Sequence, residues 1–329
     1  IPDKKVPPAG SKKHLLIKTK WDTLPTDIDT LVMGPTDDWF SSILPDFYGP
    51  YSLDVKGGSE NTYMGSGKWA FKTNTGINKE IVGVEMEPGL NLIALHNVLY
   101  SGKQFSEKVI GKCGTITVTP SPIEISTTPG TGNVPVKLTS TIKAGKIDGS
   151  AYGLSKPIIY KDVPATQDNP DDPSTSSWIE TIDITNGGLL EAQTTSSFGI
   201  DLDLYLLYDF NTNGVPDWGS EVIASSTTPT ADEFISMKFP DDGKYFIAVH
   251  GWAVSPGTTF DIEIKVIQGT DLVIKGLPSR ILKPGNPVKF KLEYDVSGYT
   301  PGETGYGLVL VGPKKAPGVI EIPVTIEVH

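Results

Sequence analysis

Apolar and polar residues alternate with period two through most of this chain, and no window of 11 or more residues carries a convincing 3.6-residue period. The alternation is plain in His14-Leu-Leu-Ile-Lys-Thr-Lys20, Thr115-Ile-Thr-Val-Thr119, Phe260-Asp-Ile-Glu-Ile-Lys-Val-Ile267 and Val319-Ile-Glu-Ile-Pro-Val-Thr-Ile-Glu-Val328. It sends one side chain into a core and the next into water, as half-buried strands do. Gly (35) and Pro (27) make up about 19% of the 329 residues, above a usual share near ~12%. They punctuate the β-branched runs with turns, so the expected fold class is all-β.

The chain carries 28 Lys and Arg against 39 Asp and Glu, a net charge of −11. That balance argues against a nucleic-acid surface, which needs a basic patch to release counterions. The longest mostly apolar stretch, 90–100, is interrupted by Asn91, His96 and Asn97, and it falls well short of the ~20 residues that span a bilayer. Ile1 is followed by no basic and then apolar leader, so the chain reads as matured by processing or excised from a larger protein. A lone Cys113 excludes an internal disulfide framework and leaves packing, turns or metal to stabilise the fold. Four Gln, one Arg (Arg280) and four Met, alongside many loop prolines, fit a heat-adapted source.

Comparing the chain with itself reveals two copies of one pattern. Pro88-Gly-Leu-Asn-Leu-Ile-Ala-Leu-His96 resembles Asp242-Gly-Lys-Tyr-Phe-Ile-Ala-Val-His250 at an offset of 154. Upstream, Lys79-Glu-Ile-Val82 matches Asp232-Glu-Phe-Ile235, and Asp27-Ile-Asp-Thr-Leu31 matches Asp201-Leu-Asp-Leu-Tyr205. Downstream, Pro135-Val-Lys-Leu138 matches Pro287-Val-Lys-Phe290, and Ala151-Tyr-Gly-Leu154 matches Gly305-Tyr-Gly-Leu308. The expected division is a sandwich at 1–119, a short Ig-like strand set at 120–163, a second sandwich at 164–269 and an Ig-like set at 270–329. Three prolines among Asp and Ser in Lys161–Ser177 read as an extended, solvated linker between the copies.

The sharpest chemical motif is Asp209-Phe-Asn211-Thr-Asn213-Gly214-Val215-Pro-Asp217. Oxygen side chains at positions 1, 3, 5 and 9, Gly at 6 and a backbone carbonyl at 7 form the pattern of a calcium loop. The ion takes six to eight hard oxygen ligands, and a loop supplies them when alternate residues point inward. Position 12 is Ser220 rather than Glu, and Glu221 follows one place late. A turn rich in Asn and Asp with no metal is the competing reading. Asp201 and Asp203, at alternate positions of one strand, are further candidates that could form or complete a cation site with Glu233. The first copy lacks the spacing and offers Asp27, Asp29, Asp37 and Asp38.

Other chemistries are thinly supported. His14, His96, His250 and His329 lack zinc-ligand spacing, and His96 with His250 reads as a shared structural element at equivalent strand ends. No G-x-S-x-G is present, and Cys113 reads as a core or turn residue. Trp39, Phe40, Phe47, Tyr48 and Tyr51 could stack on sugars. Trp218 reads as a residue packed over the calcium loop, and Trp252 as loop packing.

Asp201-Leu-Asp-Leu-Tyr-Leu, Val222-Ile-Ala-Ser-Ser, Asp232-Glu-Phe-Ile and Asp242-Gly-Lys-Tyr-Phe-Ile-Ala-Val-His-Gly resemble, in that order, the pre-peptidase C-terminal domain. The whole chain is similar to the C-terminal extension of pyrolysin-like subtilisin proteases of hyperthermophilic archaea. The resemblance implies jelly-roll-like sandwiches, Ca²⁺ as cofactor, an extracellular location, and an upstream subtilisin-like catalytic domain as partner. It implies a role in stabilising the protease or holding its substrate. No Gly-Thr-Ser-Met-Ala motif occurs, so the chain itself is expected to be non-catalytic. The competing readings are a cell-surface or carbohydrate-binding module and an independent hydrolase.

Overall fold

In a computed structural model, residues 12–21, 27–33, 57–58, 79–85, 92–99, 108–314 and 318–329 are described. Asp37, Asp38 and the aromatic group from Trp39 to Tyr51 lie outside them. The alternating runs become strands, and among the described residues there is no α-helix, only a one-turn 3-10 segment at Pro173–Thr175. Two compact units divide the chain: Tyr152–Gly269, and Ile1–Ala151 together with Thr270–His329.

The 152–269 unit holds β10 (Ile158–Pro164), β11 (Trp178–Ile184), β12 (Leu189–Thr195), β13 (Asp201–Tyr208), β14 (Val222–Ser226), β15 (Phe234–Lys238), β16 (Gly243–Ala253) and β17 (Thr259–Ile267). They form two antiparallel sheets ordered β10-β17-β12-β15 and β11-β16-β13-β14. Counted in sequence, the eight strands run 1-8-3-6 and 2-7-4-5, which is a jelly roll, a sandwich of two Greek keys. Its core is where the alternation predicts. Phe260, Ile262, Ile264 and Val266 of β17 are buried against Leu202, Leu204 and Leu206 of β13, while Asp261, Glu263 and Lys265 stay half-exposed. Each such apolar side chain contributes roughly 1.5–3 kcal/mol.

The central strands of sheet β11-β16-β13-β14, β16 and β13, are buried on their second face as well, while β11 at the edge leaves Ile179 exposed there. Leu207, Phe246 and Ala248 are covered there by Tyr205 and Trp218. That is why β16 reads Tyr-Phe-Ile-Ala-Val-His without alternation, since both faces are covered.

The expected solvated linker at 161–177 is a different object. Its first residues belong to β10, which pairs with β17 through Ile158↔Ile264, Tyr160↔Ile262 and Val163↔Phe260. The jelly-roll unit therefore begins before 164. Residues 165–177 then form a strap tied to β16 and its following turn. Asp168 N donates to Gly251 O (2.9 Å), Gly251 N donates to Asp168 Oδ2 (2.8 Å), and Gln167 bonds Gly251 O, Trp252 O and Val254 N. A side chain on Gly251 is excluded, because a Cβ there would stand 1.9 Å from Thr166 O.

In the other unit, β1 (Lys12–Lys20), β2 (Asp27–Met33), β3 (Gly57–Gly58), β4 (Lys79–Glu85), β5 (Leu92–Leu99) and β6 (Ile110–Thr119) reproduce part of the same pattern. The order β6-β1-β4 corresponds to β17-β12-β15, and β5-β2-β3 to β16-β13-β14. Register agrees too: Asp29 opposes His96 as Asp203 opposes His250, and a register shift follows Asp27 as one follows Asp201.

The remaining strands are β7 (Ile123–Thr127), β8 (Thr131–Ser140), β9 (Gly145–Ser155), β18 (Leu272–Lys275), β19 (Ile281–Leu282), β20 (Val288–Asp295), β21 (Thr304–Pro313) and β22 (Ile320–Val328). They lie in the sheets β18-β20-β8-β6-β1-β4 and β19-β9-β21-β22-β7. The expected Ig-like sets at 120–163 and 270–329 are thus not separate. β8 pairs with β20 and β7 runs parallel to β22, because a few short strands alone cannot bury a face.

Gly251→Ala is expected to destabilise the chain by about 1–3 kcal/mol, the usual cost of overpacking, in urea unfolding. Gly298→Ala, where nothing lies within 4 Å of the added methyl, is the control. Equal stability of the two variants would contradict a strap fixed at Gly251.

Candidate metal centre

The chain between β13 and β14 turns back on itself within the residues 209–221. Tyr208 N donates to Glu221 O (2.9 Å) and closes the base, while Asp209 N donates to Lys244 O (3.0 Å) on β16. Left-handed φ values at Thr212 (57°) and Gly214 (76°) reverse the chain, and Gly adopts that region without steric cost.

The oxygens that the motif spaces at every second residue are turned to the inside of this bend. Asp209 Oδ1 accepts from Asn213 N (3.0 Å) and Oδ2 from Gly214 N (2.9 Å). Asn211 Oδ1 also accepts from Asn213 N (2.9 Å), and Asn213 Oδ1 accepts from Val215 N (2.7 Å). Glu221 is fully buried, and its carboxylate spans the loop, accepting Asp217 N (2.9 Å) and, more weakly, Asn211 N (3.4 Å). Asp217 accepts from Ser220 Oγ (2.7 Å) and Gly219 N (3.0 Å), and these bonds hold its carboxyl below the usual range. Trp218 packs edge-on against Tyr205, ring centres 5.5 Å apart, and joins the loop to the covered outer face of the sheet.

The donor set suits a hard cation. Asp209, Asn211, Asn213, Asp217 and Glu221 bring side-chain oxygens, Val215 brings a carbonyl, and residues 209–221 contain no Lys, Arg or His. Asp209 (5% exposed) and Glu221 (0%) are buried carboxylates met by backbone N–H groups. Buried charges are ordinarily paired or bound to metal. Among the described residues no three His, Cys, Asp or Glu side chains gather as a metal cluster, so the fit rests on mixed carboxylate, amide and carbonyl oxygens.

Asp201, Asp203 and Glu233 do not complete this loop. Asp201 and Asp203 begin β13, whose far end leads to Asp209, and at about 3.3 Å per residue Asp201 is roughly 25 Å away. Asp203, 7% exposed, accepts from Tyr205 Oη (3.2 Å), and burial pushes its carboxyl up. Burial and the Asp203 charge push the Tyr205 hydroxyl up to about 12. Glu233, fully buried, ties the turn after β14 by accepting from Ser226 Oγ, Thr228 Oγ1 and Thr228 N (2.9 Å).

A buried cluster that spacing did not reveal lies under the strap. Asp168 Oδ2 is 3.6 Å from His250 Nδ1, which Ser176 Oγ approaches at 3.3 Å. Asp168 is 82 residues from its partner and looked like linker, so no local signal pointed to it. His250 has a structural place, as expected, at the end of β16. Cys113 is half-buried on β6, and burial pushes its thiol up, against a nucleophilic role.

Residues 179–251 match the bacterial pre-peptidase C-terminal domain. The similarity is confined to this segment, about 22% of the chain. It runs from β11 to β16, six of the eight jelly-roll strands, and such a domain is a protease-associated, non-catalytic accessory. Among solved structures, tripeptidyl peptidase 2 aligns at 8% identity and TM-score 0.34 over 97% of this chain, which spans 27% of that protein's length. The pre-peptidase C-terminal domain of collagenase from Bacillus anthracis aligns at 10% identity and TM-score 0.20, covering 44% of this chain and 93% of that domain. Likenesses this weak support no functional statement. Among curated proteins none matches the chain. Among the described residues no helix is long and apolar enough to cross a membrane.

In chelator, Asp209→Ala is expected to lower stability by about 1–2 kcal/mol through loss of two carboxylate–amide bonds, measured by urea unfolding; no loss would contradict the loop geometry. A second expectation concerns alkaline pH. Tyr205 is held neutral in the fold, so the stability it contributes is complete below pH ~10 and is lost as pH rises toward about 12. Tyr205→Phe should flatten that part of the stability profile, and an unchanged slope would contradict it.

Proposed function

We propose that this chain is a calcium-binding accessory region of a secreted subtilisin-like protease, stabilising the enzyme and helping to hold its substrate. The observation that carries the reading is the loop 209–221. Its two buried carboxylates and its inward amide oxygens are held in place by backbone N–H groups, with no basic side chain in the loop to neutralise them. Asp209, Asn211, Asn213, Asp217 and Glu221 would supply side-chain oxygens and Val215 its carbonyl. The match of residues 179–251 to the pre-peptidase C-terminal domain supports attachment to a protease. The upstream subtilisin-like domain, the archaeal and heat-adapted source and the extracellular location rest on the family resemblance and the composition.

Calcium acts here by linkage. An ion that binds only the folded loop stabilises it by about 2.7 kcal/mol at 100 times its Kd. Millimolar extracellular calcium would make the loop a standing clamp, which suits a chain with a single Cys and no disulfide to constrain it.

Calorimetric titration of the chelator-treated chain with CaCl2 tests the metal. Saturable binding that Asp209→Ala abolishes is expected. No binding heat together with no calcium by elemental analysis would overturn the reading. The parent is tested by the coding sequence ahead of Ile1, where a subtilisin domain with its Gly-Thr-Ser-Met-Ala motif is expected; an unrelated open reading frame or a start codon there would contradict it.

A further inference from the structure

The solvent face of β18, β20 and β8 carries its charges sorted by sign. Val136, Leu138, Leu272, Val288, Phe290 and Leu292 are buried, so the alternate residues of these antiparallel strands share the opposite face. Cross-strand register sets those residues in successive rows. One row pairs Lys289 with Lys137, and the next pairs Lys291 with Lys275. The following row sets Glu293 beside Val273 and Asn133, and the last holds Asp295 opposite Thr131. Asp271 adjoins that last row, its carbonyl accepting Asp295 N (2.9 Å). Lysines therefore occupy one end of the face and carboxylates the other, and all of them are exposed.

The fold gains nothing from this order. Like charges directly opposite across a strand pair destabilise it, and here Lys289 opposes Lys137 and Lys291 opposes Lys275. Among the described residues neither these lysines nor Glu293 enters an ion pair or a side-chain hydrogen bond. A surface that served solubility alone would intersperse the two signs. The gathered lysines also run against a chain whose net charge is −11.

Sorting makes the face complementary to itself. A two-fold axis laid across the strands, between the Lys291 and Glu293 rows, turns a second copy so that its β20 runs antiparallel over the first. Lys291 then faces the partner's Glu293, and Lys289 faces the partner's Asp295. The same contacts recur in reverse, as an isologous interface requires. Lys275 meets the partner's Val273, 37% exposed, against which its alkyl stem can lie. The acidic end also borders a groove of about 540 Å³ lined by Asp271, Glu293 and Asp295, which gives the facing lysine heads space. Rows about 6.8 Å apart on strands about 4.8 Å apart cover roughly 400 Å² per copy. That is below the ~800 Å² per partner of a standard interface, so the association is weak and depends on its charges.

We propose that this sheet face joins two copies of the chain in a weak, two-fold symmetric dimer, the basic end of each copy on the acidic end of the other. The contact depends on neither the calcium loop nor attachment to a protease.

Sedimentation velocity of the full chain in chelator tests it. At about 0.1 M salt a Debye length of about 10 Å screens the two net-negative chains from each other while leaving pairs in contact. A reversible monomer–dimer equilibrium is expected there, and about 1 M salt should weaken it at least tenfold, roughly as loss of charge pairs requires. Lys291→Glu and Glu293→Lys should each dimerise at least about tenfold more weakly, because each sets two pairs of like charges against one another. Mixing the two variants in equal amounts makes both pairs attractive again and should restore dimerisation, which shows that neither variant failed by unfolding. Placing both changes in one chain should restore it too, at unchanged net charge. A dimer that survives either single variant, or one that neither mixing nor the double variant recovers, would overturn the proposal. So would a wild-type chain that stays monomeric up to about 1 mM; binding of polyglutamate by that monomer, lost in Lys291→Glu, would assign the basic end to an acidic polypeptide instead.

Discussion

Glu221 sits fully buried between the two arms of a bend, its carboxylate accepting backbone N–H groups from Asn211 and Asp217. Its own carbonyl accepts Tyr208 N at the end of β13. Through it the loop is closed onto the strand pair β13–β16, the centre of the outer-face sheet. The opposite arm is fixed by Asp209, whose two oxygens bind Asn213 and Gly214. Desolvating two carboxylates is costly, and N–H dipoles alone offset only part of that cost. A cation at the inward oxygens would offset more, which is the physical case for calcium.

The sheet beneath explains why the loop can be so organised. β13 and β16 are buried on both faces, inward by the jelly-roll core and outward by Trp218, Tyr205 and the strap from 165 to 177. The loop thus rests on strands with little freedom to shift, and Trp218 extends their packing into the loop itself. Asp168 and Gln167 perform a similar service at the far end of β16, holding the strap on Gly251. Both ends of the domain are fixed by side chains that satisfy backbone groups, in a chain that has one cysteine.

Much of this was legible from residues alone. Alternation in β17 and β22 gave their buried faces, and Asp209-x-Asn-x-Asn-Gly gave the bend, because both signals are local. The repeat was legible too, since strand order and register in the two copies agree where Asp27-Ile-Asp and Asp201-Leu-Asp were aligned. What failed was long-range. Asp168 looked like linker because its partners, His250 and Gly251, are more than 80 residues away. The strand sets 120–163 and 270–329 looked separate because sequence shows period and not pairing, and only β8–β20 and β7–β22 reveal the shared sheets. Asp201 and Glu233 resembled ligands by type, yet one begins a strand and the other ties a turn.

The central claim is that residues 209–221 are arranged for a cation before it arrives. Residue-resolved amide hydrogen exchange on the chelator-treated chain, then with saturating calcium, tests it most directly. The account predicts that the amides of Asn213, Gly214, Val215 and Asp217 exchange slowly without metal, and more slowly still with it. Exchange at the rates of a free peptide in chelator, or no further slowing in calcium, would contradict it.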